Sequence, residues 1–247
     1  MPTWTKHLYE HDRLAIAKGE VSGHSFVHKF GAVPQMSNNT TGTVWDVNDT
    51  PYPWASWATA GTISIPAVNA SDDGKTVSIV GLDADYNPLT ENIEVSSSVA
   101  VTTTNSFIRI YRAFMVNGSA TNIGNINIQK GGVTVARITA GKAQTLRAIY
   151  TVPAGYTAYL TQGTCTCQAG SDATGFMFVR YGGESSFRVG HSFEVSGAGG
   201  QYFYPFDVPI PIPEKSDIDV EVSIRTNNAR VTAAFDLILM QNPYLYK

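Results

Sequence analysis

Residues 217–225 read Asp-Ile-Asp-Val-Glu-Val-Ser-Ile-Arg, and this alternation decides the fold class. Ile218, Val220, Val222 and Ile224 stand at every second position, with Asp217, Asp219, Glu221, Ser223 and Arg225 between them. A period of two is that of a strand, whose successive side chains point to opposite faces, whereas a helix would space its apolar residues three and four apart. One apolar and one charged face predict a half-buried antiparallel strand with its polar side in water.

The same period recurs upstream. Val77 and Ile79 alternate with Thr76 and Ser78, Ile126 and Ile128 alternate with Asn125 and Asn127, and Val133 and Val135 follow a glycine pair. The pairs Asp73-Gly74, Asn117-Gly118, Gly131-Gly132, Gly182-Gly183 and Gly199-Gly200 punctuate the apolar runs at hairpin-like intervals, as tight turns require. Helical character is confined to a turn or two near residues 6–18 and 143–150. The expectation is an all-β chain of two β-sandwich domains, jelly-roll or immunoglobulin-like, preceded by an extended N-terminal arm. The arm would span residues 1–59, the first sandwich 60–141 and the second 142–247, with the break where small residues at 140–142 end one strand pattern before Leu146 and Ile149 restart it. The arm is set apart by Pro34, Pro51 and Pro53, by Trp45, Tyr52, Trp54 and Trp57, and by its weak alternation. Residues 208–213, Val-Pro-Ile-Pro-Ile-Pro, must be extended because each proline fixes φ at about −65°, which suits a sheet edge.

Composition narrows the function. The 247 residues carry 17 Lys and Arg against 20 Asp and Glu, a net charge of −3, so there is no basic footprint for nucleic acid. Charged residues are 15% of the chain, against roughly 25% in an average soluble domain. Thr, Ser, Asn and Gly take their place, giving the neutral, hydrogen-bonding surface that packed assemblies favour. The opening residues hold no apolar core of signal-peptide length, and no stretch approaches the ~20 apolar residues of a membrane span. Neither membrane nor secretion is expected, and the chain should be made and stay in a cytoplasm. Cys165 and Cys167 are two apart, neighbours on one strand face rather than a disulfide pair, and are expected reduced and buried.

Candidate sites are few. His7 with His11 and His24 with His28 show four-residue spacing, but no Cys, Asp or Glu set completes a zinc pattern. Asp83, Asp85, Asn87 and Glu94 stand at the first, third, fifth and twelfth places of a calcium-binding loop, yet Pro88 fills the sixth, where the bend needs glycine. A looser calcium site on Asp83 and Asp85 remains the metal candidate; the alternative is that these side chains cap a turn. No nucleophile elbow, phosphate-cradling loop or zinc-protease motif is present, the Asp72-Asp73 and Asp217/Asp219 pairs read as turn or wet-face residues, and no cofactor is implied. Trp45, Tyr52, Trp54 and Trp57 are the interface candidates: rings of this size gain most when fully desolvated, in a groove of the same or a neighbouring subunit. Stacking on sugar rings is the alternative.

Residues 73–128 resemble a module of virion structural proteins from tailed, especially marine, bacteriophages. The likeness runs through Asp-Gly-Lys-Thr-Val at 73–77, Gly-Leu-Asp-Ala-Asp-Tyr at 81–86, the Thr90 to Val95 run, Thr-Thr-Asn-Ser-Phe-Ile-Arg-Ile at 103–110 and Asn-Ile-Gly-Asn-Ile at 122–126. It continues through residues 23–35 and 43–54 upstream and 150–160 and 212–224 downstream. The resemblance implies a non-enzymatic docking subunit, assembled in the host cytoplasm into the virion as a homo-oligomer. Its partners would be tail, fibre or major capsid proteins. A tail-associated adaptor that anchors fibres is the first expectation, a capsid decoration protein the second and a glycan-binding receptor protein the third.

Overall fold

Where a glycine pair separates two alternating runs, the chain doubles back. Gly131 and Gly132 take φ of +58° and +80°, the left-handed conformations of a two-residue hairpin loop, and join β8 (Ile126–Lys130) to β9 (Val133–Ile138) with Lys130 opposite Val133. The computed structural model describes residues 12–116, 121–197, 200–225 and 228–242, and these are all-β apart from a few short helical turns. The first elements are α1 (Asp12–Ala17), β1 (His24–Met36) and β2 (Thr41–Thr43). Then come β3 (Ser64–Ile65), β4 (Thr76–Leu82), β5 (Pro88–Glu94), β6 (Val101–Thr102) and β7 (Arg109–Met115), leading to the β8–β9 hairpin. The rest are β10 (Ile149–Thr151), β11 (Tyr156–Cys167), β12 (Ala173–Arg180), β13 (Arg188–Val195), β14 (Gln201–Ile212), β15 (Asp217–Ile224) and β16 (Ala229–Gln241).

These strands form antiparallel sheets of order β1-β16-β11-β14, β10-β15-β12-β13 with β2 added to β15, β6-β3-β8-β9, and β5-β4-β7. The inward side chains of the first two sheets make one hydrophobic cluster, including Val33, Leu160, Met177, Val222, Phe235 and Leu237. Those of the other two make a second, including Ile65, Ile79, Phe107, Ile110, Ile128 and Val135. Each large apolar side chain fully buried in this way contributes roughly 1.5–3 kcal/mol.

From residue 24 on, the segment before residue 60 is built into the sheets rather than standing apart as an arm. β1 pairs with β16 from His24 opposite Met240 to Met36 opposite Ala229, and β2 pairs with β15 from Thr41 opposite Ser223 to Thr43 opposite Glu221. The period-two signal fails in β1 because its inward positions run Val27, Lys29, Gly31, Val33, placing a lysine and a glycine where apolar residues would be looked for. Gly31 is required there: a Cβ would lie 2.1 Å from the Val44 carbonyl oxygen and 2.4 Å from the Ala148 nitrogen, so only a bare backbone passes over that junction.

Residues 143–150 form no helix. Ala143 has φ of +56°, Gln144 bridges to Phe114, and the chain then runs extended into β10. Arg147 dictates this path. Its fully buried guanidinium donates to the Val135 carbonyl at 2.7 Å and to the Ile110 carbonyl, tying the connection to β9 and β7.

Candidate docking surfaces

The four aromatic residues singled out from the sequence converge on the chain's own core. Trp45, Tyr52 and Trp57 are 1%, 4% and 2% exposed. Trp45 and Tyr52 meet edge to face at 5.2 Å, Tyr52 and Trp54 at 4.7 Å. The ring nitrogens are satisfied: Trp45 donates to the Thr50 carbonyl at 3.1 Å and Trp57 to the Tyr52 hydroxyl at 2.8 Å. Trp45, Tyr52 and Trp57 therefore cannot serve as anchors on a neighbour without leaving their own cluster. Trp54, half-buried, donates to Asp219 Oδ2 at 2.7 Å.

That contact helps to cover the first half of the polar face of β15, while Glu221 and Ser223 further along stay half-buried. Asp217 and Asp219 are each 1% exposed, against the expectation of a wet face. Arg109 of β7 donates to both Asp217 oxygens at 2.8 and 3.0 Å, and Arg180 of β12 to Oδ2 at 2.6 Å. Thr151 adds a bond to Oδ1 at 2.6 Å. Arg109 also donates to the Trp57 carbonyl at 3.0 Å and lies over the rings of Trp54 and Tyr86. This ionic junction locks the β5-β4-β7 sheet onto β15, next to a cleft of about 340 Å³. Asp219 accepts from Trp54 and from Thr43 at 3.1 Å, while its Oδ1 has no partner. Burial pushes its carboxyl up to about 7, and burial likewise raises Asp46 to about 6 although Thr139 donates to it.

Asp83 caps a hairpin. Its Oδ1 accepts from the backbone nitrogens of Asp85 and Asn87, both at 2.9 Å, and Oδ2 from the Asn87 side chain at 3.3 Å. Asp83 therefore performs the turn-capping role, and among the described residues no three metal-ligating side chains gather at one point. His24 and His28, four apart on a strand rather than a helix, sit roughly 13 Å from one another; His24 bonds the Ser22 carbonyl and His28 bonds Asp236 at 2.5 Å. His7 and His11 lie outside the described residues. Cys165 and Cys167 are buried and free, and burial pushes the Cys165 thiol up to about 12.

Among the described residues, apolar surfaces that could hold a partner lie at opposite edges of the β1-β16-β11-β14 sheet. On β14 the register with β11 jumps from Leu160 opposite Ile210 to Gln162 opposite Pro205, so residues 206–209 bulge outward and leave Val208 81% exposed. Phe203 and Tyr204 are 55% and 45% exposed, and Val189 on the neighbouring edge strand β13 is 56% exposed. Tyr204 belongs to a ring cluster with His191, Tyr202 and Phe206, its centroid 5.2 Å from that of His191 and 4.9 Å from that of Phe206. Sequence reasoning passed over this ridge, although Tyr-Phe-Tyr-Pro-Phe at residues 202–206 signals it: aromatics on both faces of one strand cannot all be buried.

The second surface is a cleft of about 640 Å³ along β1, at residues 25–30. Its walls include Phe26, Phe30, Tyr111, Tyr150 and Tyr156; Lys29 and Arg112 are the cations of its lining, which holds no carboxylate, and His28 in the lining is bonded to Asp236 outside it. Lys29 is 8% exposed and donates to the Tyr111 carbonyl at 2.5 Å.

No family model and no curated protein matches the chain. Among solved structures it is similar to that of the Gx strain of infectious bursal disease virus at 9% identity and a TM-score of 0.24, over 90% of this chain and 77% of that one. The VP2 subviral particle of infectious bursal disease virus matches at 8% identity and a TM-score of 0.25, over 92% and 74%. At these TM-scores neither likeness assigns a fold or a function.

Proposed function

We propose that the chain is a non-enzymatic structural subunit of a bacteriophage virion, built as two fused β-sandwiches whose work is docking onto other proteins of the particle. The ridge on β13 and β14 carries this reading. Phe203, Tyr204, Val208 and Val189 expose aromatic and aliphatic surface to water along two neighbouring edge strands. Large apolar side chains gathered at a sheet edge in this way mark an interaction site, because their area gains most when a partner removes it from solvent. The low charge of the chain suits such a contact. The setting comes from the resemblance of residues 73–128 to tailed-phage structural proteins. Within it we take the tail-associated adaptor that anchors fibres, since residues 30–35 and 44–54 resemble tail-associated members; capsid decoration is the alternative setting.

The test mixes the purified full chain with proteins of the dissociated particle and weighs the complexes by native mass spectrometry. We expect a homo-oligomer or a complex with a tail or capsid protein, lost in the double variant Phe203→Ser, Val208→Ser, which removes the most exposed apolar side chains of β14 and should leave the melting temperature nearly unchanged. A monomer with no affinity for any particle protein overturns the reading. Binding of a neutral oligosaccharide by the isolated chain, lost in the same variant, would reassign the exposed ring platform to glycan recognition.

A further inference from the structure

The edge of β1 that faces away from β16 has no strand beside it at residues 25–30 among the described residues. In an antiparallel strand alternate N–H and C=O groups point to each side, so this edge presents to the cleft a row of main-chain donors and acceptors that no described residue's backbone takes up. An edge left open in this way is a template for another strand. The cleft volume of about 640 Å³ provides the space, and the rings of Phe26, Phe30, Tyr111, Tyr150 and Tyr156 provide apolar walls for alternate side chains. Lys29 sets the selectivity. It is buried, one of its three N–H donors is used by the Tyr111 carbonyl, and the neighbouring charges are Arg112 in the lining and Arg147 behind it.

We propose that this cleft receives an extended acidic segment of a partner protein, which adds as a strand to the open edge of β1 and sets an aspartate or glutamate side chain on Lys29. A purely apolar strand laid there would seal a lone ammonium away from water, which is costly, whereas a carboxylate pairs with it; the same lysine that discourages indiscriminate edge pairing thus selects one class of occupant. Burial, with Arg147 and Arg112 nearby, pushes the Lys29 ammonium well below its ordinary value, and an incoming carboxylate supplies the missing counter-charge. A main-chain edge favours a peptide over an acidic sugar, which has no ladder to form. This goes beyond the docking reading above, which rests on the opposite edge of the sheet, so either can fail without the other.

The experiment selects random dodecapeptides on the immobilised full-length chain. Recovered peptides are expected to carry an aspartate or glutamate within a β-branched or aromatic run, and residues 25–30 to exchange their amide hydrogens more slowly when one is bound. A synthetic peptide should bind the wild-type chain at least about tenfold more tightly than Lys29→Met, and its amide twin, with glutamine for glutamate, should lose the same factor. Methionine matches the lysine stem in length and apolar character, and a melting curve checks that the variant folds; if it does not, the amide twin on the wild-type chain decides alone. Recovery of no peptides, recovery without an acidic preference, equal affinity for both twins, or protection away from β1 overturns the proposal. So does an oligogalacturonide that occupies the cleft while no peptide does.

Discussion

Asp219 carries the clearest consequence at the scale of a single residue. Its carboxyl is buried with one oxygen unpartnered, and burial raises it from the ordinary 3.8 to about 7. Between those two values the folded chain holds a proton that the unfolded chain has released, so stability falls as pH rises from about 4 to about 7 and levels off above. Asp219→Asn has no proton to lose and keeps an oxygen for Trp54 and Thr43. We therefore expect the variant to gain on the wild type, in melting temperature, as pH rises through that window. A difference that stays constant from pH 4 to 8 would mean the carboxyl titrates normally. Asp46, raised to about 6, adds a smaller change of the same sign in both proteins and cancels in the comparison. Trp45 is the other decisive residue. With the ring fully buried and its nitrogen bonded to Thr50, Trp45→Ala should cost about 3–5 kcal/mol in denaturant unfolding. A loss under about 1 kcal/mol would place the ring outside the core.

At the scale of elements, β1 and β2 decide whether the N-terminal segment is dispensable. Deleting residues before 60 strips β16 of its edge partner, uncovers β15, and removes Trp45, Tyr52 and Trp57 from the second cluster. We expect the truncated chain to lose its cooperative transition by circular dichroism and denaturant titration. A truncated protein that still melts sharply would restore the arm. How much was legible in sequence follows from the same elements. β15 announces itself as a strand because its alternation is local, and the β8–β9 hairpin because its glycines are. The covered polar face of β15 was not legible, since Trp54 and Arg109 reach it from distant parts of the chain and local pattern says nothing of them. β1 was hidden by Lys29 and Gly31, whose presence answers to the cleft and to the Val44–Ala148 backbone rather than to a generic core. The stretch at 143–150 reads as a helical turn because Leu146 and Ile149 are three apart; the buried demands of Arg147 override that weak preference. Which groove the aromatic candidates fill is a non-local fact, set by the sheets they meet in the chain's own core.

For the whole molecule, the junction of Arg109, Arg180 and Asp217 holds the two pairs of sheets in a fixed relation. Removing one member of a buried, doubly bonded ion pair leaves an uncompensated charge and typically costs ~3–5 kcal/mol. Asp217→Ala should therefore destabilise the chain by about that amount and separate its melting into two transitions, one for each core. A single unshifted transition by calorimetry would show that the junction contributes little to the coupling. The proposed docking role uses the aromatic ridge at one edge of the β1-β16-β11-β14 sheet, and the proposed acidic-segment cleft lies at the other. The most direct measurement of the central claim is a cryo-electron microscopy map of the intact particle. We expect this chain at regular positions, with Phe203, Tyr204 and Val208 buried against another protein subunit. A particle without the chain, or one in which that ridge faces solvent at every copy, would contradict the account.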